Sequence, residues 1–129
     1  MRGKIFFIIP ILSVLLFIRN AMNAQWTKTF KPNGDTVTCF TVHNGNIFAG
    51  TRAGGVFVST NNGMSWAPAN NGLTDLHIKS LASGGAYIFA GTNLAGIFRF
   101  TDNGNTWTPK NNGLSSLEVN TIYLDDNTK

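Results

Sequence analysis

A chain of 129 residues has room for one small domain at most. It carries ten Lys and Arg against six Asp and Glu, a formal charge of +4. Three of the basic residues (Arg2, Lys4 and Arg19) fall in the first 24, leaving seven basic against six acidic side chains, a balance of +1. With no basic run, that body is not built to hold a polyanion, which excludes a nucleic-acid partner. The single cysteine, Cys39, excludes an intrachain disulfide framework and a four-cysteine zinc site.

Residues 1–24 divide into three zones. Arg2 and Lys4 make a positive start, residues 5–18 are a fourteen-residue apolar run, and residues 19–24 are polar and end on Ala24. This is the pattern of a secretory signal peptide. A membrane anchor needs about 20 apolar residues. This run is shorter, contains Pro10 and stops at Arg19. The sequence therefore predicts cleavage after Ala24, no stable membrane anchor afterwards, and a secreted or cell-surface protein. In an oxidising compartment Cys39 has no partner within the chain, and it reads as a small buried strand residue rather than a reactive thiol.

Short β-type runs follow. Strands are predicted at residues 37–42, 47–51, 56–59 and 65–68, then at 78–81, 88–92, 97–101 and 106–109, with a further one at 119–124. Asn44-Gly45, Asn62-Gly63 and Asn103-Gly104 punctuate them as hairpin turns, since Asn and Gly tolerate positive φ. Pro68 and Pro109 place the fourth strand of each set at a sheet edge, where a missing N–H faces solvent.

The chain repeats itself at an offset of 41. Ile47-Phe48-Ala49-Gly50-Thr51 recurs as Ile88-Phe89-Ala90-Gly91-Thr92, and Asn70-Asn71-Gly72-Leu73 recurs as Asn111-Asn112-Gly113-Leu114. Between positions 47 and 76, 17 of 30 residues match their partner, a level that chance does not supply. A β-type repeat near 40 residues points to propeller blades. The expected fold is all-β: a partial β-propeller of four-stranded antiparallel blades, with units at 36–76 and 77–117 and a third starting at 118. Leu73, Leu76, Leu114 and Leu117 are expected to pack between neighbouring units. Gln25-Trp26-Thr27-Lys28-Thr29-Phe30 is similar to Ser65-Trp66-Ala67-Pro68-Ala69-Asn70. It reads either as a fourth strand that completes a last blade or as an ordinary leader strand.

Two segments carry a more specific pattern: Ser59-Thr60-Asn61-Asn62-Gly63-Met64-Ser65-Trp66 and Phe100-Thr101-Asp102-Asn103-Gly104-Asn105-Thr106-Trp107. They resemble the Asp-box, or bacterial neuraminidase repeat, Ser-x-Asp-x-Gly-x-Thr-Trp. The first copy departs from it at Asn61 and the second at Phe100. In that family the box is a structural hairpin between the third and fourth strands of a blade. It recurs in sialidases, xyloglucan-degrading hydrolases, sortilin-type receptors and photosystem assembly factors. The resemblance implies fold, a bacterial secreted or surface setting, and little about activity. The residue chemistry agrees with a structural role. Asn61 or Asp102 can accept backbone N–H bonds inside the turn, Gly63 or Gly104 takes the strained dihedral, and Trp66 or Trp107 buries against the sheet.

No catalytic set emerges. Gly63-Met64-Ser65-Trp66-Ala67 lacks the last glycine of a nucleophile elbow. His43 and His77 are 34 residues apart without a nearby Cys or carboxylate pattern, a poor metal pair, and read as surface or turn residues. Asp102-Asn103-Gly104-Asn105 lacks the later Glu of a calcium loop. No metal or cofactor is expected. Sialidase chemistry needs an arginine cluster, and beyond residue 24 there are only Arg52 and Arg99.

Blade topology puts the loops between units and the second-to-third-strand loops on one face. That face would carry Arg52, Asp75, His77, Asn93 and Glu118, the candidate binding residues. They fall where the units differ: Arg52 against Asn93, Asp75 against Ser116, His77 against Glu118. Two functions compete. One is an exported non-catalytic scaffold that binds protein or glycan at the cell surface. The other is the N-terminal part of a sialidase-like or xyloglucanase-like glycoside hydrolase. Closed propellers have roughly 4–8 blades, so self-association or further blades in a longer chain is expected to complete this one.

Overall fold

The computed structural model describes Pro32 and residues 35–101 and 105–125. The leader at 1–24, the segment 25–30, and Asp102, Asn103 and Gly104 lie outside the described residues. Eight strands occur: β1 (Val37–His43), β2 (Asn46–Thr51), β3 (Val56–Ser59), β4 (Ala67–Pro68), β5 (Ile78–Gly84), β6 (Tyr87–Thr92), β7 (Ile97–Thr101) and β8 (Thr106–Pro109). They form two four-stranded antiparallel sheets in the orders β1-β2-β3-β4 and β5-β6-β7-β8, with no helix among the described residues. The fold is all-β.

Local chemistry sets the hairpins. Asn44 and Gly45 adopt φ of 49° and 77°, the two successive positive values that let β1 return as β2. Asn62 and Gly63 do the same at 58° and 84° between β3 and β4. The first of the two predicted box hairpins is built as its residue types require. Asn61 Oδ1 accepts the Ser65 N–H at 2.8 Å, and Ser59 Oγ accepts the Gly63 N–H at 2.8 Å. The β4 and β8 strands are sheet edges, as Pro68 and Pro109 require.

Both sheets share one register. Val37 pairs with Thr51 and Ile78 with Thr92, each followed by an irregularity before Cys39 or Ser80. The core lies between the sheets. Phe48 and Val56 of the first sheet meet Ile78, Leu81, Ile88, Ala90, Phe98, Phe100 and Trp107 of the second. Phe100 links Phe48, at 5.9 Å between ring centroids, to Trp107, at 5.0 Å.

Four sequence expectations need correction. Residues 119–124 are not a strand; no adjacent strand among the described residues offers them a ladder, though they pack on the second sheet. The β4 strand spans two residues rather than residues 65–68, and Trp66 is only half-buried, whereas Trp107 is 1% exposed. His43 is not a surface residue: it is 5% exposed, and its Nδ1 lies 2.8 Å from Ser83 Oγ in the second sheet. Leu73 packs on the core, but Leu76, Leu114 and Leu117 are exposed, because the connections holding them are tied by their backbone rather than their side chains.

Candidate functional site

The ends of β2 and β6 open into tight loops, residues 52–55 and 93–96, with a threonine and a glycine as their frame. Thr51 Oγ1 donates to the Gly55 carbonyl and Thr92 Oγ1 to that of Gly96, both at 2.9 Å. The same hydroxyls accept the Gly54 and Ala95 N–H groups at 3.0 Å. Asn70 then staples the first loop, its Oδ1 taking the Val56 N–H and its Nδ2 donating to the Gly54 carbonyl. Asn111 does the same at Ile97 and Ala95. These asparagines open the recurring Asn-Asn-Gly-Leu segments, so part of the repeat is explained by loop stapling.

A carboxylate holds each loop from outside. Asp75 accepts the His77 N–H at 2.9 Å and the Leu94 N–H at 2.7 Å. Asp35 accepts the Thr36, Ala53 and Gly54 N–H groups, each at 2.7 Å. Those bonds, the one from Ala53 above all, hold the Asp35 carboxyl below its ordinary value. Asp35 escaped the sequence reading. The signal was there: Trp26 to Asp35, Trp66 to Asp75 and Trp107 to Ser116 are all steps of nine residues.

Backbone bonds join the candidate residues into one rim. The Arg52 N–H donates to the Thr36 carbonyl, and the Asn93 N–H to that of His77. The Gly55 N–H reaches the Leu76 carbonyl and the Gly96 N–H that of Leu117. Arg52, Asp75, His77 and Asn93 thus border one run of loop. Arg52 is exposed, while Asp75, His77 and Asn93 are half-buried. Asp75 spends both carboxylate oxygens on backbone, so it shapes the rim rather than presenting a charge. Glu118 extends the rim but is engaged by Lys79 Nζ at 2.6 Å. That bond and the lysine charge hold its carboxyl below its ordinary value. Lys79 also donates to Asn120 Oδ1 at 2.8 Å. Sequence spacing gave no hint of Lys79.

On the side of the first sheet away from the core, β1 leaves a strip of apolar surface. Phe40 is 72% exposed, Val42 59% and Val37 41%. Ala49 and Phe57 on the same side are buried. The equivalents one unit on, Ile78 and Leu81, are core.

No protein-family model matches the chain, and no curated protein matches it.

Proposed function

We propose that this chain contributes repeat blades to an exported β-propeller of the Asp-box kind. It serves there as a non-catalytic scaffold that takes protein or glycan at the cell exterior. The observation that carries the reading is the division of labour in the repeat. Backbone bonds, threonines, asparagines and Asp carboxylates recur at the loop frames, while side chains on the rim change: Arg52 becomes Asn93, and His77 becomes Glu118. A frame held constant with a variable border is how loops on a rigid scaffold acquire ligand specificity. The leader supports the exterior address, and the two sheets in shared register support the blade reading. Asp75 and Glu118 are both engaged by protein partners, which speaks for a scaffold over a hydrolase.

The test is a glycan array and a set of surface proteins probed with the chain and with Arg52→Ala, His77→Ala and Asn93→Ala variants. The expected result is binding lost in the variants at unchanged thermal midpoint, with no turnover of aryl glycosides. Hydrolysis by the unaltered chain, or binding indifferent to all three variants, overturns it.

A further inference from the structure

The indole of Trp107 closes a contact between the two units. Its Nε1 donates to the Ala69 carbonyl at 2.7 Å, its main-chain N–H to the Asn71 carbonyl at 2.8 Å, and Asn71 Nδ2 reaches Thr106 Oγ1 at 3.0 Å. Residues 69–71, arriving from the preceding unit, therefore run alongside Thr106 and Trp107. Trp66 holds the same place one unit earlier. Its Nε1 is buried and has no hydrogen-bond partner among the described residues. A buried N–H without an acceptor is a standing cost that native structures avoid. A second sign lies in the strand itself. The β8 ladder includes Phe100–Trp107 and Thr101–Thr106 pairs, whereas β4 stops at Ala67, short of Trp66. The strand flanked by residues 69–71 pairs further than the one for which no flanking segment lies among the described residues.

The sequence supplies that segment. Asp35 and Asp75 perform the same loop-holding task, so they fix the alignment of what precedes them. Ala69 stands six residues before Asp75, and Thr29 stands six before Asp35. Trp26 then matches Trp66, nine residues before its own aspartate. Pro32, on the path back to Thr29, is buried. Proline cannot take the φ of 89° that Gly72 has at that step, so the two paths turn differently there, and the correspondence applies to the residues before it.

We propose that residues 25–31 of this chain dock along Ser65 and Trp66, with the Thr29 main-chain carbonyl accepting the Trp66 indole N–H. The inference rests on the repeat of hydrogen bonds and not on the scaffold reading. It makes the stretch just after the leader a structural part of the first unit.

The test reads indole protons by ¹⁵N NMR in the chain starting at Gln25 and in the same chain lacking residues 25–31. Trp107, bonded to Ala69 within the described residues, is the internal control for folding. In the intact chain, Trp66 and Trp107 Hε1 are expected to exchange slowly. Deletion should speed Trp66 exchange by about tenfold or more and leave Trp107 unchanged. If deletion unfolds the chain, a nitroxide on Thr27→Cys in a Cys39→Ser background decides. It is expected to broaden the Trp66 indole well before that of Trp107. A Trp66 indole that exchanges freely in the intact chain, survives the deletion unchanged, or is untouched by the nitroxide overturns the proposal. So does protection that rises with protein concentration, which would assign the acceptor to a second copy.

Discussion

Cys39 and Ser80 hold the same place in successive units: each follows the irregularity at the start of its sheet and pairs with a glycine, Gly50 or Gly91. The Ile122 N–H donates to Ser80 Oγ at 3.0 Å. Burial pushes the Cys39 thiol up from its ordinary value, so it stays protonated and inert at neutral pH. Because the repeat itself places serine there, Cys39→Ser is expected to change stability by less than about 1 kcal/mol. Ser80→Ala strands the Ile122 N–H and is expected to cost about 1–3 kcal/mol. Urea titration of the two variants checks the contrast, and equal losses would contradict it.

The units approach closely through Gly50 and Gly91. A Cβ on Gly50 would lie 2.6 Å from both Cys39 Sγ and Ile78 Cγ2, and one on Gly91 would lie 2.7 Å from Val119 Cγ1. Gly50→Ala is expected to cost about 1–3 kcal/mol, the usual penalty of overpacking. Gly91→Ala should cost less, because Val119 belongs to a segment outside any ladder and can retreat. Thermal midpoints of both variants rank the two, and the reverse order would show that residues 119–124 are held more rigidly than their backbone suggests.

The repeat made the sheets legible before any coordinate. Seventeen matches in thirty positions, the Asn-Gly turns and two edge prolines were enough for eight strands in the observed order. Strand ends were less legible, because they depend on neighbours. Val119, Ile122 and Leu124 have the composition of a strand but meet only the face of another sheet. Of the rim, the positions were legible from topology and from where the units differ. The roles were not: Asp75 and Asp35 are hydrogen-bond acceptors for loops, a use that only spatial proximity across 18 or 19 residues shows.

The two tryptophans should answer truncation differently. Trp107 is fully buried between Phe100 and the Ala69 carbonyl, so Trp107→Ala is expected to cost about 3–5 kcal/mol. Trp66 is half-buried and its indole has no partner among the described residues, so in the chain lacking residues 25–31 Trp66→Ala should cost about 1–2 kcal/mol, nearer a generic substitution. Denaturant titration gives both numbers. Losses of equal size would mean that Trp66 is covered as well as Trp107.

Acid should loosen the rim. Asp35 is held below its ordinary 3.8 first by the Ala53 N–H, and Glu118 below its ordinary 4.5 first by the Lys79 hydrogen bond. A carboxyl whose folded value is depressed stabilises the fold above its unfolded value and stops doing so as the pH falls through the folded one. The contribution should therefore be intact at neutral pH and fade from the ordinary carboxyl range downward. Melting points across that range should fall for the unaltered chain and fall less for Asp35→Asn and Glu118→Gln. Parallel profiles for all three would assign the acid sensitivity to other groups.

The strip on β1 sets the solution behaviour. Val37, Phe40 and Val42 correspond to Ile78, Leu81 and Ser83, which face the first sheet, and to Val119, Ile122 and Leu124, which lie against the second. The contact is thus made twice in the chain, and its first copy is left open, with Phe40 at 72% exposed. Contiguous apolar surface of this kind drives association, and repeat units draw stability from neighbours on both sides. The chain starting at Gln25 is therefore expected to self-associate as its concentration rises. Replacing Phe40 and Val42 with serine should shift it toward monomer without loss of the Trp107 environment, since neither residue belongs to the core between the sheets. Sedimentation velocity over a concentration series, with Trp107 fluorescence as the control for folding, reads both effects. A monodisperse monomer that unfolds cooperatively with Phe40 and Val42 intact would show that the strip needs no cover, and the two sheets would then stand as a self-sufficient β domain.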